Sequence, residues 1–106
     1  MNIINIQERI EETLSKLNRE AGGEAECAIE VDELNRPYLR TVSWCGNPHE
    51  SNNGMITVCE YEADRAAETL GLDTDMAYAW CTSDDGNPTL AEFETADERD
   101  TWLNQK

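Results

Sequence analysis

Residues 26–32 read ECAIEVD, and the strict alternation of that stretch constrains the chain more than any other feature. In an extended conformation Cys27, Ile29 and Val31 fall on one side, and Glu26, Glu30 and Asp32 fall on the other with Ala28. A strand with one apolar and one acidic face belongs in a sheet that is buried on one side and wet on the other.

The rest of the chain supplies partners for such a strand. Residues 5–20 predict an amphipathic helix, because Ile6, Ile10, Leu14 and Leu17 recur at helical spacing. Asn5 and Glu8 hold capping-box positions, and Ala21-Gly22-Gly23 reads as the stop. After the turn signal ELNRP, residues 38–44 (YLRTVSW) are rich in aromatic and β-branched residues and read as a second strand. CGNPHESNNG reads as a polar loop. Residues 55–61 (MITVCEY) predict a third strand, followed by a short helix over ADRAAETLG, with Gly71 between Leu70 and Leu72 as a Schellman-type end. A helical stripe through Ile56, Cys59, Ala63, Ala66 and Leu70 competes with that reading, but the β-branched residues cluster early and the alanines late. Residues 76–82 (MAYAWCT) and PTLAEFE predict a fourth and a fifth strand, joined through the hairpin signal Asp85-Gly86. Thr95 then caps a last helix, with Glu98 in the capping-box position and Trp102 and Leu103 as anchors. The expected order is αβββαββα. That is a single α+β domain over residues 1–106, a mainly antiparallel five-stranded sheet with the helices packed on one face.

Charge decides what such a domain can meet. The formal net charge is −15, from 23 acids and 8 bases in 106 residues. Phosphates require Lys and Arg, so nucleic acid is not expected as a direct partner, and neither is an anionic membrane surface. A basic partner protein, a cation or a salty cytoplasm remains. The N-terminus lacks the basic and apolar segments of a secretory signal, and no stretch reaches the roughly 20 apolar residues of a membrane helix. The expectation is a cytoplasmic protein whose four cysteines are thiols.

Metal and catalytic sites are weakly represented. Cys45 and His49 lie four apart, and Cys59 and Cys81 sit in predicted strands, but no C-x-x-C pair accompanies them. DTD at 73–75 and SDDGN at 83–87 are oxygen-rich, yet neither has EF-hand spacing. His49 is the one histidine, and a Cys45–His49 pair in a Gly/Pro/Asn loop is thin support for nucleophilic catalysis. No phosphate-binding glycine loop appears. No cofactor, metal or enzymatic activity is expected. Arg36 and Arg40 are placed to meet Glu26 and Glu30 across a hairpin, as exposed pairs of small energetic value.

The acids concentrate toward the end of the chain, and only two lysines are present, Lys16 and Lys106. Asp84, Asp85, Glu92, Glu94, Asp97, Glu98 and Asp100 form the candidate partner-binding set. Glu92 and Glu94 alternate with Ala91 and Phe93 on the fifth strand, and Asp97, Glu98 and Asp100 lie along the last helix. Carboxylates spaced along a rigid strand and helix can imitate a row of phosphates, and a basic groove built for DNA or RNA would accept them. The strand–helix ending FETADERDTWL resembles an ending found in small acidic phage-encoded proteins, including inhibitors of the anti-CRISPR type. The resemblance implies a non-enzymatic inhibitor that occupies a nucleic-acid or effector surface of a bacterial defence protein, in the cytoplasm of the host. The alternative is a small intracellular interaction module whose acidity serves solubility or a halophilic cytoplasm.

Overall fold

The computed structural model describes residues 1–21, 25–45 and 54–105. The Gly22-Gly23 stop, the His49 loop, and the side chains of Trp44 and Cys45 lie outside the described residues. The elements are β1 (Asn2–Ile3), α1 (Ile6–Ala21), β2 (Glu26–Val31), β3 (Pro37–Cys45), β4 (Gly54–Glu60), α2 (Ala63–Thr69), β5 (Ala77–Thr82), β6 (Pro88–Phe93) and α3 (Ala96–Asn104). The α+β class holds, and the segment after Gly54 is a strand followed by a short helix, as its side chains predict.

The single five-stranded sheet is corrected to two antiparallel sheets of three strands, ordered β2-β3-β4 and β1-β6-β5. The reason lies at the edges of the β5–β6 hairpin. On one side β1 pairs with β6, Asn2 opposite Glu92 and Ile3 opposite Ala91, and the ladder is extended where the Ile4 amide donates to the Leu90 carbonyl at 2.9 Å. On the other side the carboxylate of Asp64, from α2, accepts the Tyr78 amide at 2.9 Å. One edge is thereby paired with β1, and the other is blocked at Tyr78 by the Asp64 carboxylate.

The second correction concerns the helices. Tyr78 opposes Glu92 and Trp80 opposes Leu90, so these four share one face of β5–β6; Ala77, Phe93, Ala79 and Ala91 share the other. The first face meets α2 and the other sheet: Leu90 and Tyr78 cluster with Leu39, Cys27, Ala66, Ala67 and Leu70, and Ile6, Ile10 and Leu14 of α1 pack against them. The second face is covered by α3, with Trp102 on Phe93 at 5.5 Å between ring centroids. Helices therefore lie on both sides of β5–β6. The small side chains of Ala77, Ala79 and Ala91 let α3 approach the sheet closely. Leu103, expected as an anchor, is instead exposed. It lies about 100° around α3 from Trp102, and Arg99, one turn before Trp102, takes the half-buried position.

Two hairpin turns repeat one geometry. Asn35 donates to the Asp32 carbonyl and Asp32 to the Arg36 carbonyl, both at 3.0 Å; Gly86 donates to the Ser83 carbonyl and Ser83 to the Asn87 carbonyl, both at 2.9 Å. Asn35 (φ 63) and Gly86 (φ 87) occupy the left-handed position. Each is a three-residue loop closed by a residue in the left-handed region, where the Asp85-Gly86 signal alone suggests a two-residue turn. At the end of α2, Leu72 donates to the Ala67 carbonyl and Gly71 to the Glu68 carbonyl. With Gly71 at φ 74, this is the Schellman arrangement the sequence predicts.

Candidate functional site

The seven candidate carboxylates divide into groups. Asp84 and Asp85 sit in the β5–β6 turn, at the Pro88 end of β6, and Glu94 follows its Phe93 end. At about 3.3 Å per residue the six-residue strand separates them by roughly 20 Å. Asp84 is exposed. Asp85 serves the turn, accepting from the Ser83 hydroxyl and, at 3.2 Å, from the Asn87 amide. Those donors hold its carboxyl below the usual range, the Ser83 hydroxyl contributing most.

Glu92 does not stand beside Glu94 on an open face. It shares the inward face of β6 with Leu90 and is half-buried. The Tyr78 hydroxyl lies 2.9 Å from Glu92 Oε2 and 2.8 Å from the Asp73 carbonyl oxygen. Its one proton serves one acceptor at a time, and burial followed by the Glu92 carboxylate raises the phenol's pKa strongly. The period-2 pattern assigns Glu92 correctly to the face opposite Ala91 and Phe93. What it cannot show is that both faces of β6 are covered.

The remaining acids gather at α3. Thr95 caps the helix as predicted, its hydroxyl accepting the Glu98 amide at 3.1 Å. Glu94, Asp97 and Glu98 are exposed, and among the described residues no cation sits against their side chains. The free amides of the first helical turn favour negative charge there. Asp100 accepts from Arg99 Nε at 3.2 Å, and Arg99 Nη1 reaches Asp64 Oδ2 at 2.7 Å. Arg99 thus joins α3 to α2 around the edge of β5.

Through that bridge the acidic surface extends to a second element that the sequence set omits. Asp64, Glu68, Asp73, Thr74, Met76 and Tyr78 line a cavity of about 190 Å³. Asp73 also turns its own loop, accepting the Asp75 amide at 2.9 Å. The sequence signal for this group is the run of acids over residues 60–75, where Arg65 is the single base. What hides it is the distance along the chain between α2 and α3.

Elsewhere the charges are paired locally. Arg40 meets Glu26 at 3.7 Å and Glu30 at 4.0 Å, as predicted across the hairpin. Arg36 instead pairs with Asp32 at 2.8 Å and lies over the Tyr61 ring. Tyr38 stacks on Tyr61 and donates to Glu30 at 2.8 Å, which pushes its pKa up to about 12. Cys27 is buried, and burial raises its thiol to about 11. Cys59, in β4, is exposed. No group of three or more metal-ligating side chains occurs among the described residues, and no helix there is long and apolar enough to cross a membrane.

The turn carboxylates give a pH prediction. The backbone amides of Arg36 and Leu34, with the Arg36 side chain, hold Asp32 below its ordinary pKa, as the donors named above hold Asp85. A carboxyl whose folded pKa is depressed stabilises the fold above its unfolded value, about 3.9, and that contribution is lost as pH falls through the folded value. In urea unfolding between pH 6 and pH 2, wild type should lose stability more steeply than D32N/D85N below about pH 4. Parallel curves over the whole range would remove both carboxylates from the acid limb.

The arrangement offers fixed negative charge on two helices joined through one arginine. No protein-family model, curated protein or solved structure matches this chain.

Proposed function

We propose that this is a non-catalytic acidic binding protein that occupies the nucleic-acid-binding surface of a basic partner. The observation that carries the proposal is the acid array at α3. Asp97 and Glu98 stand exposed on a helix capped by Thr95 and held to α2 through Arg99 and Asp64, and Glu94 stands exposed just before the cap. Rigid placement matters because a groove built for phosphates gains little from carboxylates that must first be ordered. Similarity of the FETADERDTWL ending to small phage-encoded inhibitors of the anti-CRISPR type makes a bacterial defence protein the first partner to try. The face is smaller than the seven-residue set: Glu94, Asp97 and Glu98 form its centre and Asp100 its flank, while Glu92 lies on the opposite side of β6, under Tyr78.

The test is capture on the immobilised protein from a bacterial lysate at low and high salt, with duplex DNA and RNA as competitors. A partner should be held at low salt, released as the ionic strength rises, and displaced by nucleic acid. E94Q/D97N/E98Q removes three charges and keeps the Thr95 hydroxyl cap, which bonds only the backbone amide of residue 98. At about 0.7 kcal/mol for each surface charge, it should weaken that partner about 30-fold. Equal affinity of wild type and variant for every captured protein rejects the proposal. A fold that gains stability continuously up to molar salt and captures nothing assigns the acidity to a halophilic cytoplasm instead.

A further inference from the structure

The open edge of β4 is the surface that the acidic array leaves unexplained. β4 pairs with β3 on one side, and among the described residues no strand pairs with its other side. Residues 54–59 contain no charged residue and no proline, the devices by which exposed edges usually block pairing. Ile56 and Val58 point to one face, opposite Ser43 and Thr41, and remain 44% and 40% exposed. The outer edges of β2 and β5 differ. β2 carries Glu26 and Glu30 with Arg40 laid against them, and Asp64 closes β5 at Tyr78.

We propose that β4 accepts an extended segment of the partner as an added strand, with aliphatic residues at alternate positions over Ile56 and Val58 and a Lys or Arg beside Glu60. Backbone pairing along the edge supplies affinity, and the alternate side chains supply selectivity. Glu60 follows Val58 on the same face, and Glu62 lies just beyond it, so the apolar edge ends in negative charge. A lysine or arginine there can lay its methylene stem on Val58 and its charge on Glu60. Charge also argues against a second copy of this chain as the occupant. Two copies would bring a net −15 against −15. A seven-residue strand pair buries on the order of several hundred Å², well short of the ~1,200 Å² of stable interfaces. The proposal depends on the acidic-docking function only for the sign of the partner's charge.

The probe is a fluorescent nine-residue peptide of alternating valine and threonine with a lysine at each end. Its anisotropy should rise on wild-type protein, and the amide shifts it causes should be confined to residues 55–60. Glutamates in place of the lysines, or the I56K/V58K variant, should each weaken binding at least tenfold. Shifts centred elsewhere, or no binding, overturn the proposal; the amide map on wild type decides even if I56K/V58K fails to fold. A wild-type dimer that tightens as salt rises and perturbs residues 55–60 gives the edge to a second copy and also overturns it. E94Q/D97N/E98Q should still bind the peptide. Peptide binding without a salt-sensitive basic partner would leave strand addition standing and remove the docking function; the reverse result would do the opposite.

Discussion

Leu90→Ala is expected to destabilise the fold by about 3 kcal/mol. Leu90 is fully buried, with 0% of its surface exposed, in the middle strand of the β1-β6-β5 sheet. Its side chain points away from α3 into the cluster that also holds Leu39 of the other sheet, Ala66 and Ala67 of α2, and Leu70 just after that helix. Truncation loses the transfer energy of the removed carbons and opens a cavity between elements that cannot easily close on it. β6 is held on both sides, by β1 and β5. A chain of this size has a total stability of roughly 5–15 kcal/mol, so the variant should melt some 10–20 °C lower. Calorimetry and urea titration measure it. A loss below about 1 kcal/mol would mean that the two sheets are not packed through Leu90.

Asp64→Ala is expected to cost about 2–3 kcal/mol, although its side chain lies on the surface of α2. One carboxylate does two jobs, accepting the Tyr78 amide at 2.9 Å and Arg99 at 2.7 Å. The arginine pair is the smaller part, since Asp64 is 56% exposed and water screens it. The larger part is the Tyr78 amide, left without an acceptor on a buried residue at the edge of β5. Asp64→Asn separates the two, because an amide oxygen still accepts from Tyr78 while the charge is gone. It should recover more than half of the loss. Hydrogen exchange at the Tyr78 amide should quicken in Asp64→Ala and stay slow in Asp64→Asn. Unchanged exchange in both, with stability within about 0.5 kcal/mol of wild type, would show that this edge is closed by something other than Asp64.

These two residues also mark how far the sequence can be read. Every strand from β2 to β6 is legible, because alternation and β-branching are local properties of a few consecutive residues. α1 is legible from Ile6, Ile10 and Leu14. The Thr95 cap and the Gly71 stop are legible because each depends on residues within five positions. β1 is not, since a two-residue strand carries no period; its existence depends on β6, some 90 residues away. The division into two sheets is hidden for the same reason. It follows from which edges are closed, by Asn2–Ile3 on one side and by Asp64 on the other, and neither closure leaves a mark in the β5–β6 segment itself.

The acidic site divides in the same way. The excess of carboxylates over cations in the second half of the chain, and their place at the start of α3, are properties of the sequence alone. Charge counts and caps need no third dimension. Asp85 is held in its turn and Asp100 on Arg99 by neighbours within two residues, but only the tertiary structure turns Glu92 inward under Tyr78 and joins α2 to α3 through Asp64. Those outcomes depend on contacts between segments far apart in the chain, where the favoured partner is set by packing and by the need of each buried polar group for a hydrogen bond.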